Sequence, residues 1–359
     1  MSRKTYFDLL YRLKDNIFPL RAQIALTYRC NLNCVHCFEN KDSRDELTLS
    51  EIKDILNQLK DLGCLRLNFT GGELFLRKDV LEIFELARRM NFDFSLITNA
   101  TLLTEGLVRN IKKFNPSTIQ ISLYGATKKV YESISNVSGS FKKTLDAISL
   151  LKVHNLKLRI ATVVMRQNFH EIKIIRQMAR INKWNLITDY CISPGYNGSR
   201  VPLKCRMTQN QLKKAVTELK SEGRYLKKMN TISKERLFCL LSFCQHECYI
   251  SAQADVFPSC TLRMKLGSLR EKSFEEIWRD SQVAKTLRGL KKEELYCLRC
   301  RLFFYCCFDK GMAWLEHGDF RLPAKEICRV MKAGIRRDGK LLPPGLVSKV
   351  KFPSTISFS

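Results

Sequence analysis

The chain has 359 residues, of which 45% are hydrophobic and 27% charged, with a net charge of +27 and 15 cysteines. These proportions exclude a disordered or fibrous protein, and the length suits one large domain joined to a smaller one. Runs such as LFCLLSFC near 240 are too short to span a bilayer.

The opening stretch, MSRKTYFDLLYRLKDNIFPL, intersperses charges with apolar residues and has no signal-peptide pattern, so a cytoplasmic protein is expected and no membrane partner. In that setting clustered cysteines indicate metal or redox chemistry rather than disulfides. The positive charge calls for an acidic partner or reflects a lysine-rich solvated surface, and it does not choose between them.

Residues 1–20 read as an N-terminal extension. From 21 to about 200 six short β-branched or aromatic runs alternate with longer amphipathic stretches: QIALTY, LRLNFT, FDFSLIT, TIQISLY, LRIATVVM and LITDYCI. The first intervening pattern, SEIKDILNQLKDLG, reads as a helix with Ser50 as N-cap and Gly63 as C-cap. Alternating strand and helix gives an α/β fold with a parallel sheet. Six units are too few to close an eight-fold barrel, so the expectation is an open, partial (β/α)6 barrel with its site at the C-terminal strand ends.

The first strand runs directly into CNLNCVHC, which places Cys30, Cys34 and Cys37 on one loop at that face. A disulfide needs two thiols and a structural zinc site four ligands. Three thiolates suit a four-iron cluster with one iron left open. The second strand ends in GGE, Gly71-Gly72-Glu73, where glycines let backbone approach a ligand. The third ends at Thr98-Asn99 and the fourth at Ser122.

After SPGYNGSRVPL, residues 201–236 form a helical linker, with one basic amphipathic helix over 208–229. Residues 237–330 are rich in cysteine and contain one clear helix, SFEEIWRDSQVAKTLRGL. This region reads as a small domain built partly on metal sites. The basic tail, 331–359, is expected to be loosely ordered.

C-x3-C-x2-C after the first strand, followed by GGE after the second, resembles the signature of the radical S-adenosylmethionine (SAM) enzymes. The resemblance implies a [4Fe-4S] cluster on Cys30, Cys34 and Cys37 whose open iron binds the amino and carboxylate groups of SAM. One electron then yields a 5′-deoxyadenosyl radical. It also implies that Gly71, Gly72 and Glu73 meet the SAM amino group, that Thr98 and Asn99 lie near its ribose and methionine, and that Ser122 contacts it. His36 stands where the family has an aromatic ring and reads as a packing residue. The chain departs from many relatives in reading SLYG for SLDG, and Ser135 near the position of an arginine.

Cys297-x2-Cys300-x5-Cys306 with Cys328 resembles the outer half of a SPASM extension, which carries auxiliary iron–sulfur clusters. Cys239, Cys244 and Cys260 have the spacing of the inner half, with Cys248 competing for the place of Cys239. A fourth inner cysteine is missing after Cys306. The inner site therefore takes Asp309, uses Cys307, or keeps an open iron. Lys310 cannot ligate while protonated. Zinc is allowed by spacing alone. Cys64, Cys191 and Cys205 read as core or surface residues. Sulfatase maturases carry an aspartate where this chain has Thr261, so no catalytic base is named.

The resemblance implies one SAM-binding cluster, SAM, one or two auxiliary [4Fe-4S] clusters, and a peptide or protein substrate to be crosslinked, epimerised or oxidised. It also implies reduced flavodoxin or ferredoxin as electron donor. About 20 residues precede the first strand, too few for a fused leader-recognition domain, so a separate recognition protein is plausible. A small molecule such as a tetrapyrrole side chain is the alternative substrate. A non-enzymatic metal and nucleic-acid-binding protein is the alternative of another class. No stripe of interleaved aromatic and basic residues supports it.

Overall fold

The computed structural model describes residues 12–13, 15–39, 44–220, 244–300, 303, 306 and 308–335. Cys239, Cys307, the stretch 221–236 and the tail from 336 lie outside the described residues.

All six expected strands form: β1 Arg21–Ala25, β2 Arg66–Thr70, β3 Asp93–Thr98, β4 Thr118–Ser122, β5 Leu158–Val163 and β6 Asn185–Asp189. Each pairs in parallel with the next. The sheet order is β6-β5-β4-β3-β2-β1-β7-β8-β9, so β6 ends one side and the barrel stays open. The intervening helices are α1 Leu49–Asp61, α2 Val80–Arg89, α3 Glu105–Phe114, α4 Lys128–Ser135, α5 Ser140–Val153 and α6 Ile172–Ile181.

The period-two alternation of each strand sorts its residues between two faces. Ala22, Ile24, Leu67, Phe69, Phe94, Leu96, Ile119, Ile121 and Ile160 are at most 1% exposed and belong to the main apolar core. Gln23, Thr70, Ile97, Gln120, Ser122, Ala161 and Val163 face the other way and line a cavity. The same strands therefore build the core and the walls of the site.

The N-cap of α1 is Thr48, not Ser50. Thr48 and Glu51 form a reciprocal capping box, which satisfies two backbone donors at once and outcompetes a cap two residues later. Leu62 is the C-cap, and Gly63 follows it at φ 82°, in the left-handed region. The linker helix α7 is described over Gln209–Lys220.

The cysteine-rich region is more structured than its sequence suggests. Its expected single helix is two, α8 Phe274–Asp280 and α9 Gln282–Arg288, separated at Ser281 by an extended backbone of φ −53°, ψ 125°. Two further helices follow, α10 Lys310–His317 and α11 Lys325–Ile335. Strand β7, Glu247–Ile250, pairs in parallel with β1, and an antiparallel ladder continues through β8 Asp255–Phe257 to β9 Gly267–Ser268. The C-terminal region thus extends the barrel sheet from the edge opposite β6.

Candidate active site

The loop after β1 is fixed from four sides before it presents its thiols. Thr27 Oγ1 and the Tyr28 N–H both donate to Glu46 Oε1, at 2.6 and 2.9 Å. Arg77 donates to the carbonyls of Leu26 and Leu47, at 2.9 and 2.7 Å, while paired with Asp79. The C-terminal end of α4 accepts from the loop itself: Asn33 N to Ser135 O, 2.9 Å, and Val35 N to Ile134 O, 3.0 Å. Ser135 is wholly buried, with its hydroxyl 2.7 Å from that of Ser140.

The two glycines of GGE hold the fourth side. Gly72 N donates to Thr27 O and Glu73 N to Arg29 O, both at 2.8 Å. A Cβ on Gly71, which has φ 149°, would stand 2.2 Å from Thr27 O, and one on Gly72 would stand 2.3 Å from Arg29 O. Glycine is therefore required first by contact with the root of the cysteine loop, and only then by any ligand.

Glu73 ties two strand ends together. It is wholly buried, and its carboxylate accepts from Thr98 Oγ1 at 2.7 Å, Asn99 N at 2.8 Å and Phe75 N at 3.2 Å. Burial pushes its carboxyl up to about 7, against the pull of those three donors. Its acceptor capacity is used to lock the end of β3 onto the end of β2.

Cys30, Cys34, Cys37, Gly71, Gly72, Thr98, Asn99 and Ser122 line one cavity of about 400 Å³ at the C-terminal strand ends. Thr261, Asp309 and Met312 line it from the C-terminal region, and Asp189, Cys191 and Ser193 from β6 and the loop beyond. Cys30 Sγ accepts from Leu32 N at 3.5 Å and from Asn99 Nδ2 at 3.8 Å. N–H donors aimed at sulfur favour the thiolate, which is the form that binds iron, so the donor set fits a cluster held by this loop. His36 is buried edge-on to Tyr124 with ring centroids 4.6 Å apart. Burial lowers its imidazole to about 4 and keeps it neutral at pH 7, consistent with a packing role.

The other cysteines separate by position. Cys244 is buried, and desolvation pushes its thiol up to about 12. Cys260 is raised to about 11 by burial and by Asp309 nearby. Cys297 is raised to about 12, by burial first and then by Cys328 and Cys300. Cys306 packs against the cluster of Met312, Ala313, Ile327 and Met331. Cys248 sits in the main core, opposite Ala22, with its thiol raised by burial among Cys64 and Cys244. Among the described residues no three His, Cys, Asp or Glu side chains stand close enough to hold a single metal ion.

Asp309 is the N-cap of α10, its Oδ1 accepting from Met312 N at 2.9 Å. A Cβ on Gly311 would lie 2.2 Å from the Thr261 carbonyl carbon, so the first turn of α10 is seated directly on the Cys260–Thr261 backbone. This brings Asp309 beside Cys260 and onto the cavity wall. Burial lowers the neighbouring Lys310 amine to about 7.

Several site residues carried no sequence signal. Glu46, Asp189, Cys191 and Arg263 belong to no spacing motif. Asp189 ends β6, and Cys191 and Arg263 stand shortly after a strand or a cysteine, whereas Glu46 had no such marker. Cys191, read as core or surface, is on the cavity wall.

Comparison with known proteins agrees with this geometry. The family model described as the radical SAM superfamily matches residues 24–179, and that described as an iron-sulfur cluster-binding domain (SPASM) matches residues 239–301. The chain is 26% identical to an AdoMet-dependent heme synthase of Methanosarcina barkeri, over 82% of this chain and 92% of that one. It is 31% identical to a PqqA peptide cyclase of Bradyrhizobium diazoefficiens, over 45% of this chain and 43% of the other, so it spans less than half of that relative. Among solved structures, Streptococcus suis SuiB bound to S-adenosylmethionine superposes with a TM-score of 0.68 at 19% identity, over 89% of this chain and 80% of that one. At that identity the likeness is one of fold.

Proposed function

The chain is a radical SAM enzyme with a C-terminal SPASM iron–sulfur domain, and on that footing we propose that it modifies a peptide or protein. One observation carries the site: three thiols of one loop and the paired glycines open onto a single cavity at the C-terminal strand ends. Cys30, Cys34 and Cys37 would hold a [4Fe-4S] cluster there, and the backbone at Gly71-Gly72, with Asn99 and Ser122, would line the place of SAM. Such a cluster supplies the electron that turns SAM into a hydrogen-abstracting 5′-deoxyadenosyl radical.

The protein's own residues do the rest. Glu73 orients Thr98 and Asn99 by accepting hydrogen bonds from the Thr98 hydroxyl and the Asn99 N–H. His36 and Tyr124 keep one wall apolar and uncharged. Asp309 and Thr261 bring the C-terminal region against the same space. Cys244 and Cys260, with Asp309, would serve an inner auxiliary cluster, and Cys297, Cys300, Cys306 and Cys328 an outer one. The role proposed for Cys239 lies outside the described residues.

A peptide is the favoured substrate for two reasons. The cavity opens beside β6, whose Asn185, Ile187 and Asp189 are exposed, so an extended chain has room to enter. The PqqA peptide cyclase and a SuiB structure bound to its precursor peptide SuiA stand among the similar proteins. The net charge of +27 suits an acidic leader peptide, a separate leader-recognition protein, and an acidic electron donor such as reduced flavodoxin or ferredoxin. A tetrapyrrole side chain is the second reading, favoured by the length of the match to the heme synthase.

The test is anaerobic reconstitution with iron and sulfide, then reduction with SAM and either a candidate precursor peptide or an iron tetrapyrrole carrying propionate side chains. The proposal expects 5′-deoxyadenosine to form together with a mass change in the peptide. A mass change confined to the tetrapyrrole would select the second reading.

A further inference from the structure

Arg263 lies three residues beyond Cys260, in the C-terminal region, yet two of its hydrogen-bond partners, Glu39 and Tyr28, belong to the loop after β1. Its Nη2 donates to Glu39 Oε1 at 2.6 Å, its Nη1 to the Tyr28 hydroxyl at 3.2 Å, and its Nε back to the Cys260 carbonyl at 2.9 Å. The guanidinium lies 4.0 Å from the ring centroids of both Tyr196 and Tyr249. The side chains of Arg263 and Glu39 are only 12% and 17% exposed.

Both ends of this pair belong to cysteine loops. Glu39 is two residues beyond Cys37. Tyr196, beyond β6, takes the carbonyl of Phe38 on its own N–H at 2.9 Å and donates its hydroxyl to the carbonyl of Cys260. One cation therefore gathers the end of the SAM-cluster loop, the loop after β6 and the Cys260 segment.

A cation stacked between two rings, charge-paired and shielded from solvent, is held far more firmly than an exposed ion pair. Glu39 lines the SAM cavity, and so does Thr261, next to Cys260. Displacing either loop would change the shape of that cavity.

We propose that Arg263, through Glu39, is a positioning residue that couples the SAM-binding loop to the C-terminal cysteine region. Lysine is a poor replacement, because a point charge on a flexible stem cannot stack between two rings while serving three acceptors. This inference rests on the radical SAM reading of the cavity and is independent of whether the substrate is a peptide or a tetrapyrrole.

The experiment uses the full reconstituted chain in four forms: wild type, Glu39→Gln, Arg263→Lys, and the double variant. Glu39→Gln is isosteric and guards against simple unfolding. Iron per chain, the dissociation constant for SAM, and hydrogen exchange of the amides at 37–39 and 196 are measured on each. Exchange is also read on the protein before reconstitution.

The expected result is unchanged iron, SAM affinity weakened about tenfold in either single variant, and faster exchange at 37–39 and at 196. The double variant should be no worse than the weaker-binding single, because both substitutions break the same Glu39–Arg263 pair. SAM affinities within twofold of wild type, or additive losses, would overturn the proposal. A wild-type protein that binds no SAM at all would instead overturn the underlying reading of the cavity.

Discussion

At the scale of single residues, the candidate site is shaped by side chains and glycines that touch other parts of the chain. Glu73 is the clearest case. Its folded value of about 7 lies above the ordinary value of 4.5. The folded protein thus binds this proton more tightly than the unfolded chain does. The resulting stabilisation is complete below about pH 4.5 and is lost as pH rises through about 7. Glu73→Gln should remove that part of the slope, so denaturant midpoints measured from pH 5 to 8 should fall less with rising pH in the variant than in wild type. Equal slopes would show that Glu73 is ionised throughout. Gly72→Ala is expected to dislodge the cysteine loop, because its Cβ would stand 2.3 Å from Arg29 O. Loss of the iron bound through Cys30, Cys34 and Cys37, read by the EPR signal of the reduced cluster, is the expected outcome, with auxiliary iron retained.

Elements were legible in the sequence where local pattern determines them. The six barrel strands follow from alternating residues and flanking turns, and the thiol loop follows from spacing on one short stretch. Thr48 and Glu51 also carried a readable capping-box signature, and Ser50 was an inferior choice on chemistry alone. What could not be read is what depends on distant partners. Strand β7 exists as a parallel neighbour of β1, more than two hundred residues away. The break at Ser281 falls in the polar run Arg279-Asp280-Ser281-Gln282, between the buried sets Phe274, Ile277, Trp278 and Ala284, Leu287. Helix α10 owes its position to contact with Thr261, and Gly311 is the residue that permits it. Gly311→Ala should force α10 off the Cys260–Thr261 backbone. Iron analysis with EPR should then show auxiliary iron reduced and the SAM-binding cluster largely kept. A variant with full auxiliary iron would mean that this seat does not shape the inner site.

At the scale of the whole molecule, the sheet joins the two cysteine fields into one body. β1 delivers the loop of Cys30, Cys34 and Cys37 from one end of its backbone and pairs laterally with β7, which leads to Cys260 and the C-terminal helices. The other side of the barrel ends at β6, whose last residue, Asp189, lies on the cavity wall. Among the described residues no helix is long and apolar enough to cross a membrane. The function proposed for this arrangement is reductive cleavage of SAM on a cluster held by three thiols. Its most direct measurement is 5′-deoxyadenosine formed by the anaerobically reconstituted, reduced protein, compared with a Cys34→Ala variant. The expected result is product from wild type, with about twelve iron atoms per chain for three four-iron clusters, and no product from the variant despite retained auxiliary iron. Failure of the wild type to form 5′-deoxyadenosine with any reductant, with or without substrate, or equal product from the variant, would contradict it.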